Sequence, residues 1–141
     1  MKTKHLTVGD RMTKTPHVLG DEQTLSTAHE VMREHRIRHL PVLHGGKLVG
    51  VLSLRDLHLI ETLSDVDPEQ VPVEEAMSQD VYVVPPSSPL KDVVKEMAER
   101  KLGSAVVAQG AQVVGVFTTV DALETLAQVL EGEGMSKEKA S

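Results

Sequence analysis

The 141 residues are 40% hydrophobic, contain no cysteine and carry a net charge of −6. That is apolar material for one compact domain or two very small intertwined ones, and it excludes disulfides, thiolate nucleophiles and cysteine metal sites. Tyr82 and Phe117 are the sole rings besides histidine; without stacking platforms or a dense basic face, nucleic acid is not expected as a partner.

The chain opens Met1 to Val8 without an apolar run of signal-peptide length. No window approaches the roughly 20 apolar residues needed to span a bilayer. The expectation is a cytoplasmic protein with no membrane partner. A short apolar piece, His17-Val18-Leu19, comes first. A helix follows from about Thr24, with Leu25, Ala28, Val31 and Met32 at helical spacing. Two apolar runs, Leu40 to Leu43 and Lys47 to Leu52, flank Gly45-Gly46 and read as a hairpin. A second helix is expected over Leu54 to Leu63. Ser64 to Gln70 then form an acidic, proline-bearing linker.

The series then repeats. Val81-Tyr82-Val83-Val84 is the apolar piece, and Ser88 and Pro89 suit the N-cap and first position of a helix with the stripe Leu90, Val93, Val94 and Met97. Ser104 to Ala108 and Gln112 to Phe117 flank Gly110-Ala111, and a last helix is expected over Thr119 to Leu130. A shift of 65 residues aligns 8–58 with 73–123 without a gap, with twelve identical pairs, among them Val8/Val73, Met12/Met77, Gly50/Gly115 and Asp56/Asp121. The organisation expected is a first repeat over 7–65, a second over 72–130, and a polar, disordered tail over 131–141. At about 50 residues neither unit buries a comfortable core alone, so the two should share a sheet face and leave two related clefts.

The chemistry-bearing residues sit where each third strand meets the closing helix. The strings are Gly50-Val51-Leu52-Ser53-Leu54-Arg55-Asp56 and Gly115-Val116-Phe117-Thr118-Thr119-Val120-Asp121. A hydroxyl at a helix N-terminus, beside free N–H groups, favours phosphate. A carboxylate three residues later offers two acceptor oxygens to a vicinal diol such as ribose. The same Ser/Thr-x-x-Asp spacing is also that of a capping box, which serves the helix alone. Its recurrence at one register in both units favours a shared ligand role.

The doubled unit, the stretch Ile37-Arg38-His39-Leu40-Pro41-Val42 and the two strings ending in Asp56 and Asp121 together resemble a tandem pair of cystathionine-β-synthase-type (CBS) repeats, a Bateman module, over roughly residues 7–130. The resemblance implies an α/β (α+β) fold of two pseudo-twofold related β-α-β-β-α repeats packed through their sheets. It implies clefts that bind AMP, ADP, ATP or S-adenosylmethionine as regulatory ligands, with no cofactor required. Asp56 and Asp121 would then hold ribose, and Ser53 and Thr118 would hold phosphate or ribose. The base pocket would draw on Thr15, Pro16, His17, Val18, Asp80, Val81, Tyr82 and Val83. It would also use the residues entering the second strand, His39-Leu40-Pro41 and Ser104-Ala105-Val106. The family habit further implies a homodimer, a leading segment folded onto the opposite repeat, and a regulated partner protein not encoded here.

Lys14, Arg36, Arg38, His39 and Arg55 give the first repeat ample phosphate-binding charge; the second offers Arg100 and Lys101, but Gly103-Ser104 and Val120 replace Arg38-His39 and Arg55. Residues 1–65 sum to +1 and 66–141 to −7. His35 and His39 have metal-ligand spacing but straddle an expected helix end, so no metal site is expected. No phosphate-cradling P-loop, GxSxG or cysteine nucleophile is present, so no catalysis is expected. The alternative to a ligand sensor is an interaction scaffold with vestigial clefts.

Overall fold

The structure is a computed structural model that describes residues 5–14 and 17–140, the last eight of these by backbone alone. Thr15 and Pro16 lie outside the described residues. The first repeat contains β2 (Leu19–Gly20), α2 (Leu25–His35), β3 (His39–His44), β4 (Lys47–Ser53) and α3 (Leu54–Ile60). The second contains β5 (Val83–Val84), α4 (Leu90–Arg100), β6 (Ser104–Gln109), β7 (Gln112–Thr118) and α5 (Thr119–Ala140). A short α1 (Val8–Arg11) and β1 (Thr13–Lys14) precede the first series, and a 3-10 turn, Val73–Glu75, precedes the second.

Each helix buries the stripe its spacing announces: Leu25, Ala28 and Met32 in α2, and Leu90, Val93 and Met97 in α4. Thr24 caps α2, its hydroxyl oxygen accepting from the Thr27 N–H at 3.3 Å. The cap of α4 differs from expectation. Pro89 occupies the N-cap and the helix starts at Leu90, because the Ser88 carbonyl and the Leu90 amide are engaged by Val8 and Leu6 of the leading segment. The hairpin turns are left-handed at Gly45 (φ 56°) and Gly46 (φ 81°), and at Gly110 (φ 62°). Helix α5 continues past Leu130, where the apolar pattern stops, so the tail expected to be disordered is helical in backbone as far as Ala140.

In the first sheet, β2 runs parallel to β3 and β3 antiparallel to β4. In the second, the order is β1-β7-β6-β5, with β5 parallel to β6, β6 antiparallel to β7, and β1 antiparallel to β7. β1 comes from the start of the first repeat, ahead of β2, so this leading segment crosses to the second. Leu6, Val8 and Met12 join Val93, Met97 and Phe117 in the second core. The connector does the reverse: Val71, Val73 and Met77 pack with Leu25, Leu40 and Leu52 in the first core, and Val51 and Ser78 exchange backbone hydrogen bonds of 3.0 and 2.9 Å. Strands β3 and β7 meet where the two sheets face each other. The two repeats are thus packed through their sheets and strapped together by exchanged segments.

One clasp of this arrangement is ionic. Asp21, almost fully buried, accepts from His44 at 3.1 Å, its N–H donates to the Leu43 carbonyl, and its own carbonyl takes the Glu74 amide of the 3-10 turn. The hydrogen bond from His44 holds the Asp21 carboxyl below its ordinary 3.8; the same bond raises the His44 imidazole above its ordinary 6.5. The His44 contribution is complete below 6.5 and fades as pH rises through its raised value. The Asp21 contribution is complete above 3.8 and fades as pH falls through its lowered value. The difference in melting temperature between wild type and His44→Ala should therefore peak between these limits and shrink on both sides; a difference independent of pH would show that the pair adds nothing.

Candidate functional site

A cavity of about 730 Å³ opens where the edge of the first sheet formed by the start of β3 and the end of β4 meets the connector and the second repeat. From the first repeat come Arg38 and His39 at the start of β3, and Ser53, Arg55 and Asp56 where β4 turns into α3. From the second side come Ser78, Asp80, Val81 and Tyr82 on the connector, with Lys101 to Ser104 and Val106 on the approach to and start of β6. The site depends on the exchange of segments, because the bonds of Ser78 to Val51 bring the connector alongside β4.

The local geometry at α3 is a complete capping box. The Ser53 amide donates to Asp56 Oδ2 at 2.9 Å and the Asp56 amide donates to Ser53 Oγ at 3.0 Å. The helix-capping role is therefore met, and it leaves Asp56 Oδ1 without a hydrogen bond among the described residues while the side chain lines the cavity. Arg38, Arg55 and Lys101 line the same cavity from three different segments.

Tyr82 stands on the far wall under Arg100, whose guanidinium carbon lies 5.4 Å from the ring centroid and which also pairs with Asp80 at 3.1 Å. His39 sits deeper. Burial lowers its proton affinity below the ordinary 6.5 and Arg38 adds to this, opposed by the Asp56 and Asp121 carboxylates. It is a neutral donor–acceptor within the field of both carboxylates. The pocket thus combines an open carboxylate oxygen, a hydroxyl, three cations and an aromatic wall.

The pseudo-symmetric position is built differently. Thr118 and Asp121 form the same box, with Thr118 N donating at 2.9 Å and Asp121 N donating back at 3.3 Å. Here, however, Thr13 Oγ1 reaches both oxygens of Asp121, at 2.9 and 3.2 Å, and Thr118 Oγ1 lies 3.2 Å from Oδ2. The counterpart of Thr13 is Ser78, which makes no such bond to Asp56. At the position of Tyr82 and Arg100, this side carries His17 and His35, stacked with centroids 3.6 Å apart.

Of the residues expected to touch ligand, the cavity gathers Arg38, His39, Ser53, Arg55, Asp56, Asp80, Val81, Tyr82, Ser104 and Val106. Leu40 and Ala105 are fully buried in the two cores, and Pro41 is buried in β3. His17, Val18, Thr118 and Asp121 are not among its lining residues, and two expected cations also lie elsewhere. Lys14 pairs with Gly115 in the second sheet, and Arg36 lines a separate groove behind the cavity. Sequence reasoning missed Ser78, legible as the counterpart of Thr13 under the 65-residue shift, whereas Lys101, read with Arg100 as the positive charge of the second repeat, lines the cavity. Among the described residues no group of three or more His, Cys, Asp or Glu is placed to hold a metal ion.

The profile of the CBS domain matches the chain twice, over residues 8–59 and 73–128. The chain belongs to the CBS domain family. The CBS domain-containing protein YhcV of Bacillus subtilis is 30% identical over 114 residues, covering 81% of each chain. Among solved structures, the AcuB protein of Vibrio cholerae superposes with a TM-score of 0.78 at 32% identity, over 92% of this chain and 96% of that one. CBSX2, solved in complex with AMP, superposes with a TM-score of 0.71 at 27% identity, over 88% of this CBS pair and 98% of its own chain. No helix of the described residues is long and apolar enough to cross a membrane.

Proposed function

We propose that this CBS pair is a non-catalytic regulatory module that binds an adenosine-containing nucleotide, AMP, ADP, ATP or S-adenosylmethionine, in the cleft between its repeats. The observation that carries this reading is the cavity of about 730 Å³, in which Asp56 keeps one carboxylate oxygen free beside Ser53, Arg38, Arg55 and Lys101. The free oxygen accepts from the ribose diol. The Ser53 hydroxyl and the cations take the phosphate, and Tyr82 and Val106 flank the base. The AMP complex of CBSX2 supports this ligand class. The limits 7–65 and 72–130 define the repeats of the module. His17, Val18, Thr118 and Asp121, together with Thr15 and Pro16, belong to the second cleft, whose carboxylate Thr13 already occupies.

Because the ligand touches both repeats, it favours one arrangement of the pair, and a partner protein in the cytoplasm reads that arrangement. A second copy supplies the remaining surface. Leu59 and Leu63 follow one another along and just beyond α3, and Leu123, Leu126 and Leu130 along α5, all at least half exposed. These equivalent helices suit a homodimer.

Thermal unfolding against AMP, ADP, ATP and S-adenosylmethionine tests the reading. A bound ligand at about 100 times its Kd should add roughly 2.7 kcal/mol. Absence of any shift at millimolar ligand would leave the leucine-bearing helices as the functional surface and turn the protein into a scaffold.

A further inference from the structure

We propose that the cleft continues outward into a second anion pocket, made by Arg33, Arg36 and Arg38, which takes the outer phosphates of a polyphosphate ligand; this rests on the nucleotide reading above. A separate groove of about 390 Å³ lies at the C-terminal end of α2, with Met32, Ile37 and Leu54 as its apolar floor. Arg38 and Leu54 line both this groove and the main cavity, so the two meet at a shared wall. A ligand whose first phosphate sits at Ser53 and Arg38 has its next phosphates directed toward Arg36 and Arg33.

The charge of the groove is uncommitted. Arg33, Arg36 and Arg38 are exposed and make no salt bridge among the described residues, whereas His29 on the rim is held by Glu61 at 2.7 Å. Guanidinium groups present planar donor forks that match phosphate oxygens in pairs. Arg36 also holds a left-handed backbone at the helix end, φ 55°, where glycine is usual. Its counterpart Lys101 holds the same conformation, φ 57°, so the backbone here is common to both repeats and the difference between them lies in the flanking Arg33 and Arg38.

Cations near a helix C-terminus are favoured by the helix dipole, but that acts equally on α2 and α4. The counterparts of His29, Arg33, Arg36 and Arg38 are Val94, Ala98, Lys101 and Gly103, so three of four basic side chains are absent from the second repeat. The dipole does not account for that asymmetry; a ligand entering from the first repeat does.

Calorimetric titration of the full chain with AMP, ATP and inorganic tripolyphosphate tests the proposal, using wild type and Arg33→Ala/Arg36→Gly. Both replaced side chains are exposed, and glycine keeps the left-handed cap. Expected is ATP binding about tenfold tighter than AMP, with ATP and tripolyphosphate weakened about tenfold by the double substitution and AMP by less than about twofold. Equal losses for AMP and ATP, or no preference for ATP in the wild type, would overturn the extension and leave the cleft standing. Tripolyphosphate bound and then lost in the variant, with neither nucleotide bound, would uphold the groove as an anion site and refute the nucleotide reading. No binding by any of the three would overturn both.

Discussion

Gly50→Ala and Gly115→Ala should each cost about 2 kcal/mol of stability, a fall of roughly 5–8 °C in Tm for a domain of this size. A Cβ on Gly50 would lie 2.6 Å from Met77 Sδ and 2.8 Å from the Ser78 carbonyl oxygen; on Gly115 it would lie 2.6 Å from Met12 Sδ and 2.8 Å from the Thr13 oxygen. The methionine can swing aside. The carbonyl cannot, because Ser78 O accepts from Val51 N at 3.0 Å and β1 is held in register against β7. The strap must lift, and overpacking of that kind outweighs the several tenths of a kcal/mol that alanine recovers from the unfolded chain.

The two variants should part in their ligand behaviour. The strap over Gly50 carries Ser78, Asp80, Val81 and Tyr82 into the cavity, so Gly50→Ala should also weaken nucleotide binding. The strap over Gly115 carries Met12 and Thr13 to the opposite side, so Gly115→Ala should destabilise without that loss. Thermal melts with and without AMP read both effects. Unchanged melting in both variants would mean that the straps are not what holds the repeats together.

These glycines also show where the sequence was legible and where it was not. The 65-residue shift exposed the doubled unit, the hairpins at Gly45-Gly46 and Gly110-Ala111, and the stripes of α2 and α4, because each is a local pattern with its own period or turn chemistry. The expected crossing of the leading segment rested on the family resemblance; the reciprocal crossing of the connector was not foreseen. A four-residue helix or a 3-10 turn has too few residues to say which sheet it will bury against. The identities Val8/Val73 and Met12/Met77 marked these segments as equivalent, yet the destination is a tertiary choice. Gly50 and Gly115 read as the opening letters of a polar motif, while in the fold they are the space that the crossing segment needs.

The site was legible to a similar depth. Ser53, Asp56 and Arg38 line one cavity together with Tyr82, which the family resemblance placed in the base pocket. Leu40 and Ala105 alternate inward along their strands to the core. Lys14 and Arg36 were both grouped with the first repeat, but the strand exchange carries Lys14 to the second sheet, and Arg36 lines the groove that adjoins the cavity rather than the cavity itself.

The carboxylates supply the sharpest functional contrast. Asp56→Ala should weaken AMP binding about 100-fold, because two ribose hydroxyls lose a charged acceptor at roughly 1.5 kcal/mol each. Asp121→Ala should change it by less than about threefold, since both oxygens of Asp121 are already bonded to Thr13 and Thr118. Either substitution also removes half of a capping box, a loss of about 1 kcal/mol that the fold tolerates. Asp56→Asn separates the two roles: its amide oxygen still accepts from Ser53 N, so the cap and Tm are kept while the charge facing ribose is gone. An Asp56→Asn protein that melts like wild type but binds AMP at least tenfold more weakly would assign the carboxylate to ligand. Equal affinity in Asp56→Ala and wild type would reduce the motif to a helix cap. Equal losses in Asp56→Ala and Asp121→Ala would instead mean that Thr13 gives way to ligand and both clefts fill.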